Sequence, residues 1–154
     1  MNMDTNRGGY GRLLCMTAFH FVLMYFFMYV MVNTFANVYP SLNQLYMAAL
    51  MASPMPLLEL WLMGSMYPKK KLNVFLVVTS ILLLAGSFLF IRQQVAITDE
   101  QFLKSMIPHH AGAILMCEQS SLKDPQIKEL CENIISGQQA EINWMNTKLD
   151  SLKQ

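Results

Sequence analysis

Three long apolar segments occupy most of the first 91 residues of this 154-residue chain, and they restrict what it can fold into. They cover residues 13–35, 42–66 and 72–91. Each is long enough to cross a bilayer, which needs about 20 residues of α-helix. Inside the hydrocarbon region every backbone N–H and C=O must be bonded within the segment, which favours helices. The sequence therefore predicts an all-α fold with three transmembrane helices, the second kinked at Pro54 and Pro56.

The charged residues that flank these segments predict an orientation. Arg7 and Arg12 lie before the first segment, three lysines at 69–71 follow the second, and the loop 36–41 between them is uncharged. Cytoplasmic loops carry the excess of lysine and arginine. We therefore expect a multi-pass protein of the cell (inner) membrane. Residues 1–12 would be cytoplasmic, and residues 92–154 would be periplasmic or extracellular.

The segment 92–154 carries the signals of two amphipathic helices. Thr98 and Gln101 have the spacing of a capping box, and Asp124 followed by Pro125 is typical of a second helix start. Pro108 lies inside the first helix and should bend it. The sequence predicts an antiparallel helical hairpin. Because so small a hairpin buries little surface, we expect it to pair with a second copy in a four-helix bundle, or to lean on the membrane.

One face of each predicted helix carries residues that bind soft metals. On the first helix these are Met106, His109, His110 and Cys117, and on the second they are Cys131 and Met145, with Gln138 and Glu141 between them. An antiparallel hairpin should place Cys117 level with Cys131, His110 level with Gln138, and Met106 near Glu141 to Met145. Imidazole, thioether and thiolate together favour copper, particularly Cu(I). The alternative interpretation is a core methionine beside solvated histidines.

Cys117 and Cys131 leave three interpretations open. Outside the cytoplasm they can form a disulfide, they can serve as thiolate ligands, or they can simply pack. The sequence does not choose between these alternatives.

The stretch from Phe102 to Met116, with its Met-Ile-Pro-His-His core, resembles the signature of the domain of unknown function 305 family. The pattern Gln-x-x-Glu-Ile-x-x-Met at residues 138–145 resembles the second half of that family. The resemblance covers the last third of the chain. It implies a ferritin-like helical domain, with an association of some members with copper tolerance. Carried over by position, it implies Met106, His109, His110 and Met145 as metal ligands, and Met116 as a weaker candidate.

The first two apolar segments also carry a stripe of methionines at four-residue spacing. Its members are Met16, Met24 and Met28 in the first segment and Met47, Met51, Met55 and Met63 in the second. His20 and Glu59 interrupt the stripe at matching depths, and ionisable residues inside a bilayer are functional candidates. They are candidates for a buried polar pair, and the stripe is a candidate route for Cu(I). Ordinary packing is the alternative, since a four-residue spacing drifts by about 40° per step around a helix.

Three functions follow as hypotheses. The first is a membrane-anchored protein that binds copper outside the cytoplasm and contributes to metal homeostasis or tolerance, with Ag(I) as a substitute ion. The second is a copper transporter that uses the membrane stripe, and the third is a structural anchor without metal. We see no catalytic constellation and expect no enzyme. The expected partners are a metal ion, the lipid bilayer and a second copy of the chain. Nucleic acid is not expected, because no basic patch is present.

Overall fold

The computed structural model describes residues 4–152, and it describes side chains from residue 9 onward. Two short stretches lie outside the described residues. They are residues 1–3, at the start of the predicted cytoplasmic N-terminus, and residues 153–154, at the end of the predicted hairpin segment. Within residues 4–152 the fold is all-helical and has no strand. The helices are α1 (Asp4–Phe27), α2 (Leu42–Ala52), α3 (Pro54–Leu62), α4 (Lys70–Gln93), α5 (Asp99–Gln119) and α6 (Pro125–Leu152).

The chain divides into two compact units. The first, here called the membrane unit, consists of residues 4–27 and 45–95. The second, here called the hairpin unit, consists of residues 28–44 and 96–152. The loop after α1 therefore belongs with the C-terminal helices and not with the apolar helices on either side of it.

Three helical stretches are long and apolar enough to cross a membrane, as predicted. They are Gly9–Phe27, Leu42–Leu62 and Lys70–Gln93. The first ends eight residues before the predicted boundary at residue 35. Val32, which extends the apolar run in the sequence, packs against the core of the hairpin unit instead. Hydropathy alone does not distinguish a side chain that faces lipid from one that faces a protein core.

The second spanning stretch is interrupted where the prolines predict a kink. α2 ends at Ala52 and α3 begins at Pro54, with Ser53 between them. Proline has no N–H to continue the helical hydrogen bonds. The Ser53 hydroxyl donates to the Leu50 carbonyl at 3.0 Å. The hydroxyl of the residue between the two helices therefore has a hydrogen-bond partner.

The membrane unit has a small core at the end that carries the lysine loop. Tyr10, Leu13 and Tyr67 are buried there, and the two tyrosine rings meet edge to face with centroids 5.0 Å apart. The Tyr10 hydroxyl donates to Oδ1 of Asn73 at 2.7 Å and accepts from the backbone N–H of Lys69 at 3.0 Å. These contacts fix α1, the lysine loop and the start of α4 together.

Helices α5 and α6 form the predicted hairpin, and both predicted helix starts are confirmed. The Thr98 hydroxyl accepts from the Gln101 N–H at 3.4 Å. Oδ1 of Asp124 accepts from the N–H groups of Gln126 and Ile127 at 2.8 and 3.2 Å. These bonds satisfy donors that have no partner inside the first turn of a helix. The hairpin core consists of Leu103, Ile107, Ala111, Ile114, Ile142, Met145 and Leu149.

The loop 28–44 packs along this hairpin as a third element, which the sequence did not predict. The Tyr39 hydroxyl donates to Oδ1 of Asn146 at 2.8 Å. Oε1 of Gln101 accepts from the N–H of Leu42, the first residue of α2, at 2.9 Å. The side chain of Gln101 therefore caps a different helix from the one that its position in the capping box predicts. The loop adds apolar cover that an isolated hairpin would lack.

Candidate functional site

Four side chains at one level of the α5–α6 hairpin form what is here called the layer. Three of them, Met106, His110 and Met145, are predicted ligands, and the fourth, Glu141, lies on the predicted face of α6. Met106 and His110 are one turn apart on α5, and Glu141 and Met145 are one turn apart on α6. Nδ1 of His110 lies 2.9 Å from Oε2 of Glu141. Met145 is buried in the hairpin core, and Met106 packs against that core. The layer brings two thioethers and one imidazole to the same part of the hairpin.

The nitrogen Nδ1 of His110 is the unusual atom in this layer. It is buried, and no hydrogen bond reaches it. The nearby carboxylate oxygen of Glu141 is at hydrogen-bonding distance, but the contact lacks the alignment of a hydrogen bond. Buried polar atoms are normally bonded, so a nitrogen with close contact but no aligned partner is a candidate for binding something else.

His110 meets Glu141 and not Gln138, so the pairing differs from the prediction. Side chains on a helix lean towards its N-terminus. On α5 this direction leads away from the turn of the hairpin, and on α6 it leads towards the turn. The partner of His110 must therefore start farther from the turn than His110 itself. Counting residues equally from the turn, as the prediction did, neglects this lean.

The environment of His110 favours its neutral form. Burial lowers the pKa of His110 below the ordinary value of 6.5. The Glu141 carboxylate acts in the opposite direction and His109 in the same direction, but burial has the largest effect. A neutral imidazole has a free lone pair, which is the form that binds a metal.

The remaining predicted ligands on α5 lie outside this layer. His109 is exposed, and its ring centroid is 6.0 Å from that of His110. Met116 is 51% exposed. In the part of the chain that the structure describes, no group of three or more histidine, cysteine, aspartate and glutamate side chains is placed to hold a metal. The donors that accompany His110 in the layer, other than the Glu141 carboxylate, are therefore the sulfurs of Met106 and Met145.

Cys117 and Cys131 form a disulfide, one of the three alternatives that the sequence left open. Their Cα atoms are 5.3 Å apart, as expected for two helices that meet near the turn. Sulfurs bonded to each other are not thiolates, so in this oxidised form the pair does not supply the predicted thiolate ligands. The disulfide joins α5 and α6 at the end nearest their connection.

The predicted pair of ionisable residues in the membrane unit is not formed. Within residues 9–152, no ion pair joins His20 to Glu59; the Glu59 carboxylate accepts from the Tyr67 hydroxyl at 3.0 Å. Burial, followed by the contact with Glu59, raises the pKa of Tyr67 above 10.0. Tyr67 was not among the predicted site residues, although its place beside the lysine loop marks the end of a span.

The methionine stripe is not gathered into one buried row. Met16, Met47, Met51 and Met63 are exposed on the protein surface. Met24, Met28 and Met55 are partly buried, and Met28 belongs to the hairpin unit. This division follows the drift of a four-residue spacing around a helix of 3.6 residues per turn.

Comparison with known proteins agrees with the helical hairpin. Residues 91–149 match the domain of unknown function DUF305. The chain is also similar to the uncharacterized protein L153 of Acanthamoeba polyphaga mimivirus, with 38% identity over 123 residues, which are 79% of each chain. No solved structure matches. Because 123 residues greatly exceed the length of the hairpin segment, the similarity extends into the apolar first part of the chain. The chain therefore belongs to the family of the mimivirus L153 protein, and its residues 91–149 match the DUF305 family model.

Proposed function

We propose that this protein is a membrane-anchored copper-binding protein whose hairpin unit holds Cu(I) outside the cytoplasm, in metal homeostasis or tolerance. The observation that carries the proposal is the buried and unbonded Nδ1 of His110 in the layer with Met106 and Met145. Neutral imidazole and thioether sulfur are ligands suited to Cu(I). The function is binding, without a catalysed reaction.

The donor atoms of the layer fit a soft monovalent ion better than a hard divalent one. Met106, Met145 and His110 would hold the ion, with exposed His109 as an additional donor. Magnesium and calcium prefer sites made of oxygen, and among the side chains described, those of residues 9–152, Glu141 is the one carboxylate in contact with His110. Ag(I) would substitute for Cu(I), because it has the same preference for sulfur.

The proposed orientation places the hairpin unit outside and the lysine loop inside. Three membrane crossings put the loop 28–44 and residues 96–152 on the same side, and these segments form one compact unit. Lys69, Lys70 and Lys71 would then lie in the cytoplasm, where such residues accumulate. The disulfide agrees with this arrangement, because disulfides persist in oxidising compartments.

A ferritin-like four-helix bundle made from two hairpins remains part of the proposal. Part of the hairpin surface is apolar and exposed, including Phe102, Leu130 and Trp144. A second copy packed there would complete the bundle and would bring a second His109 near the layer. Cross-linking of the chain in native membranes tests this arrangement, with a dimer band expected.

The direct test is a Cu(I) titration of the full, disulfide-bonded chain in detergent against a competing chelator, without oxygen. We expect tight binding that is weakened at least about tenfold, or about 1.4 kcal/mol, by His110→Gln and by the pair Met106→Leu and Met145→Leu. Met116→Leu is the matched control, since Met116 lies outside the layer. Binding that is equally strong in all variants would overturn the assignment of the ligands.

Copper transport through the membrane unit has weaker support. Glu59 contacts Tyr67 instead of His20, and four stripe methionines are exposed. Flux of Cu(I) into proteoliposomes separates the two functions. We expect no flux above that of empty liposomes, whereas flux that depends on His20 and Glu59 would favour the transporter.

A further inference from the structure

The disulfide at the tip of the hairpin lies beside a surface cleft. The cleft has a volume of about 190 Å³ and is lined by both cysteines together with Ser120, Lys128 and Glu132. Cleavage of a disulfide requires that a thiolate reaches one of its sulfurs. The cleft provides this access, because both cysteines contribute to its lining.

The geometry of the two cysteines suits a metal once the bond is broken. Metal–thiolate bonds of about 2.3 Å place two sulfurs at most about 4.6 Å apart on one ion. Cα atoms 5.3 Å apart allow that separation by rotation of the side chains alone. The core residues Ile114 and Ile142 are fully buried nearer the middle of the hairpin, so packing keeps α5 and α6 together without the covalent link.

We propose that Cys117 and Cys131 form a redox-gated second site, a disulfide when oxidised and a two-thiolate site for Cu(I) or Ag(I) when reduced. The reductant is a dithiol, either a thioredoxin-like protein or a small molecule. Two electrons from the dithiol reduce the Cys117–Cys131 bond, and the dithiol becomes a disulfide. The two released thiols then bind one ion and give up two protons. The site does not require the layer around His110.

This site would change the capacity of the hairpin according to the redox state of its surroundings. Under oxidising conditions the layer containing His110 is the proposed binding site. After reduction, a pair of thiolates becomes available at the tip, and thiolates bind Cu(I) more strongly than thioethers do, because they carry negative charge. The chain would retain copper under reducing conditions even if the first site lost it.

The test uses the full chain in detergent with three substitutions. Cys15→Ser removes the third cysteine, and Met106→Leu with Met145→Leu weakens the first site, the layer around His110. The chain is reduced with dithiothreitol, freed of reductant without oxygen, and titrated with Cu(I) against a competing chelator. We expect about one additional ion per chain relative to the oxidised form, as a two-thiolate site requires. Cys117→Ser, which leaves one thiol of the pair, should lower reduced binding to the oxidised level.

Circular dichroism of the reduced chain accompanies the titration, with helical content expected to stay unchanged. A reduced and helical chain that binds no more Cu(I) than the oxidised chain would overturn the proposal. Loss of the hairpin helices on reduction would also overturn it, because the site requires α5 and α6 side by side. Failure of the first site does not affect this result, since that site is already disabled.

Discussion

Burial and a neighbouring charge have opposite effects on the pKa of His110. Its ring is largely buried beside Glu141, whose carboxylate would favour an imidazolium ion, yet burial has the larger effect on its pKa. The residue therefore stays neutral at a pH where an exposed histidine begins to take up a proton. This property supports metal binding, and it also gives two measurable consequences without metal.

The first consequence concerns the protonation of His110 itself. We expect its pKa, measured by NMR of the imidazole ring in the metal-free chain, to lie below 6.5 because of burial. Glu141→Gln should lower it further, since the carboxylate stabilises the charged form. An increase on this substitution, or a wild-type pKa above 6.5, would contradict the described environment.

The second consequence is a dependence of stability on pH. Because the folded-state pKa of His110 is lower than its unfolded value, the unfolded chain binds more protons as the pH falls below about 6.5. The free energy of unfolding should therefore decrease with falling pH in this range, until His110 is protonated in the folded state as well. Denaturation in detergent at several pH values measures this slope. His110→Gln should reduce it, whereas an unchanged slope would show that other groups cause it.

At the scale of elements, the loop 28–44 determines how the hairpin is covered. Its Tyr39 reaches Asn146 on α6, and its Met31 lies against Gly112 on α5. These contacts are made by residues far apart in the sequence. No local pattern in the loop indicated them.

Tyr39→Phe tests the hydrogen bond between the loop and α6. Removal of the hydroxyl should reduce stability by about 0.5–1.5 kcal/mol, the usual net contribution of such a bond. Thermal unfolding in detergent measures the change. In an Asn146→Ala background, Tyr39→Phe should cause almost no further loss of stability, because the hydrogen bond is already absent. An undiminished loss of stability in that background would show that the loss does not come from this hydrogen bond.

The two glycines of the hairpin helices should respond differently to larger side chains. A Cβ at Gly137 meets nothing within 4 Å, whereas one at Gly112 lies 3.5 Å from the Met31 carbonyl oxygen. Gly137→Ala should stabilise α6 by about 0.5–1 kcal/mol. Gly112→Leu should displace the loop and destabilise the chain, while Gly137→Leu should not. Equal effects of leucine at the two positions would contradict the packing of the loop on α5.

The elements that the sequence predicted well are those with local causes. Thr98 and Asp124 mark helix starts because their side chains bond the first turn, and the apolar runs mark spans because of their length. The end of the first span and the partner of His110 depended on long-range packing. The contact of Glu59 with Tyr67 joins residues only eight positions apart, but it depends on how the chain turns after α3. Local patterns do not contain that information, so these features emerged only from the structure.

For the molecule as a whole, the proposed function requires that both parts of the hairpin unit lie on the outer side of the membrane. Single cysteines introduced as Gln139→Cys and Ser65→Cys, in a Cys15→Ser background, test this with a membrane-impermeant maleimide on intact cells. Both positions are exposed in the structure. We expect labelling at position 139 in intact cells and at position 65 only after permeabilisation. The reverse pattern would invert the proposed orientation.

In the proposed site, sulfur from Met106 and Met145 and nitrogen from His110 bind the same copper ion. X-ray absorption at the copper edge of the Cu(I)-loaded, disulfide-bonded chain tests this most directly, because it distinguishes sulfur from nitrogen neighbours. We expect both kinds of neighbour in the wild-type chain and loss of the sulfur signal in the variant with Met106→Leu and Met145→Leu. Copper surrounded only by nitrogen and oxygen in the wild-type chain, or a sulfur signal unchanged in the variant, would contradict the account.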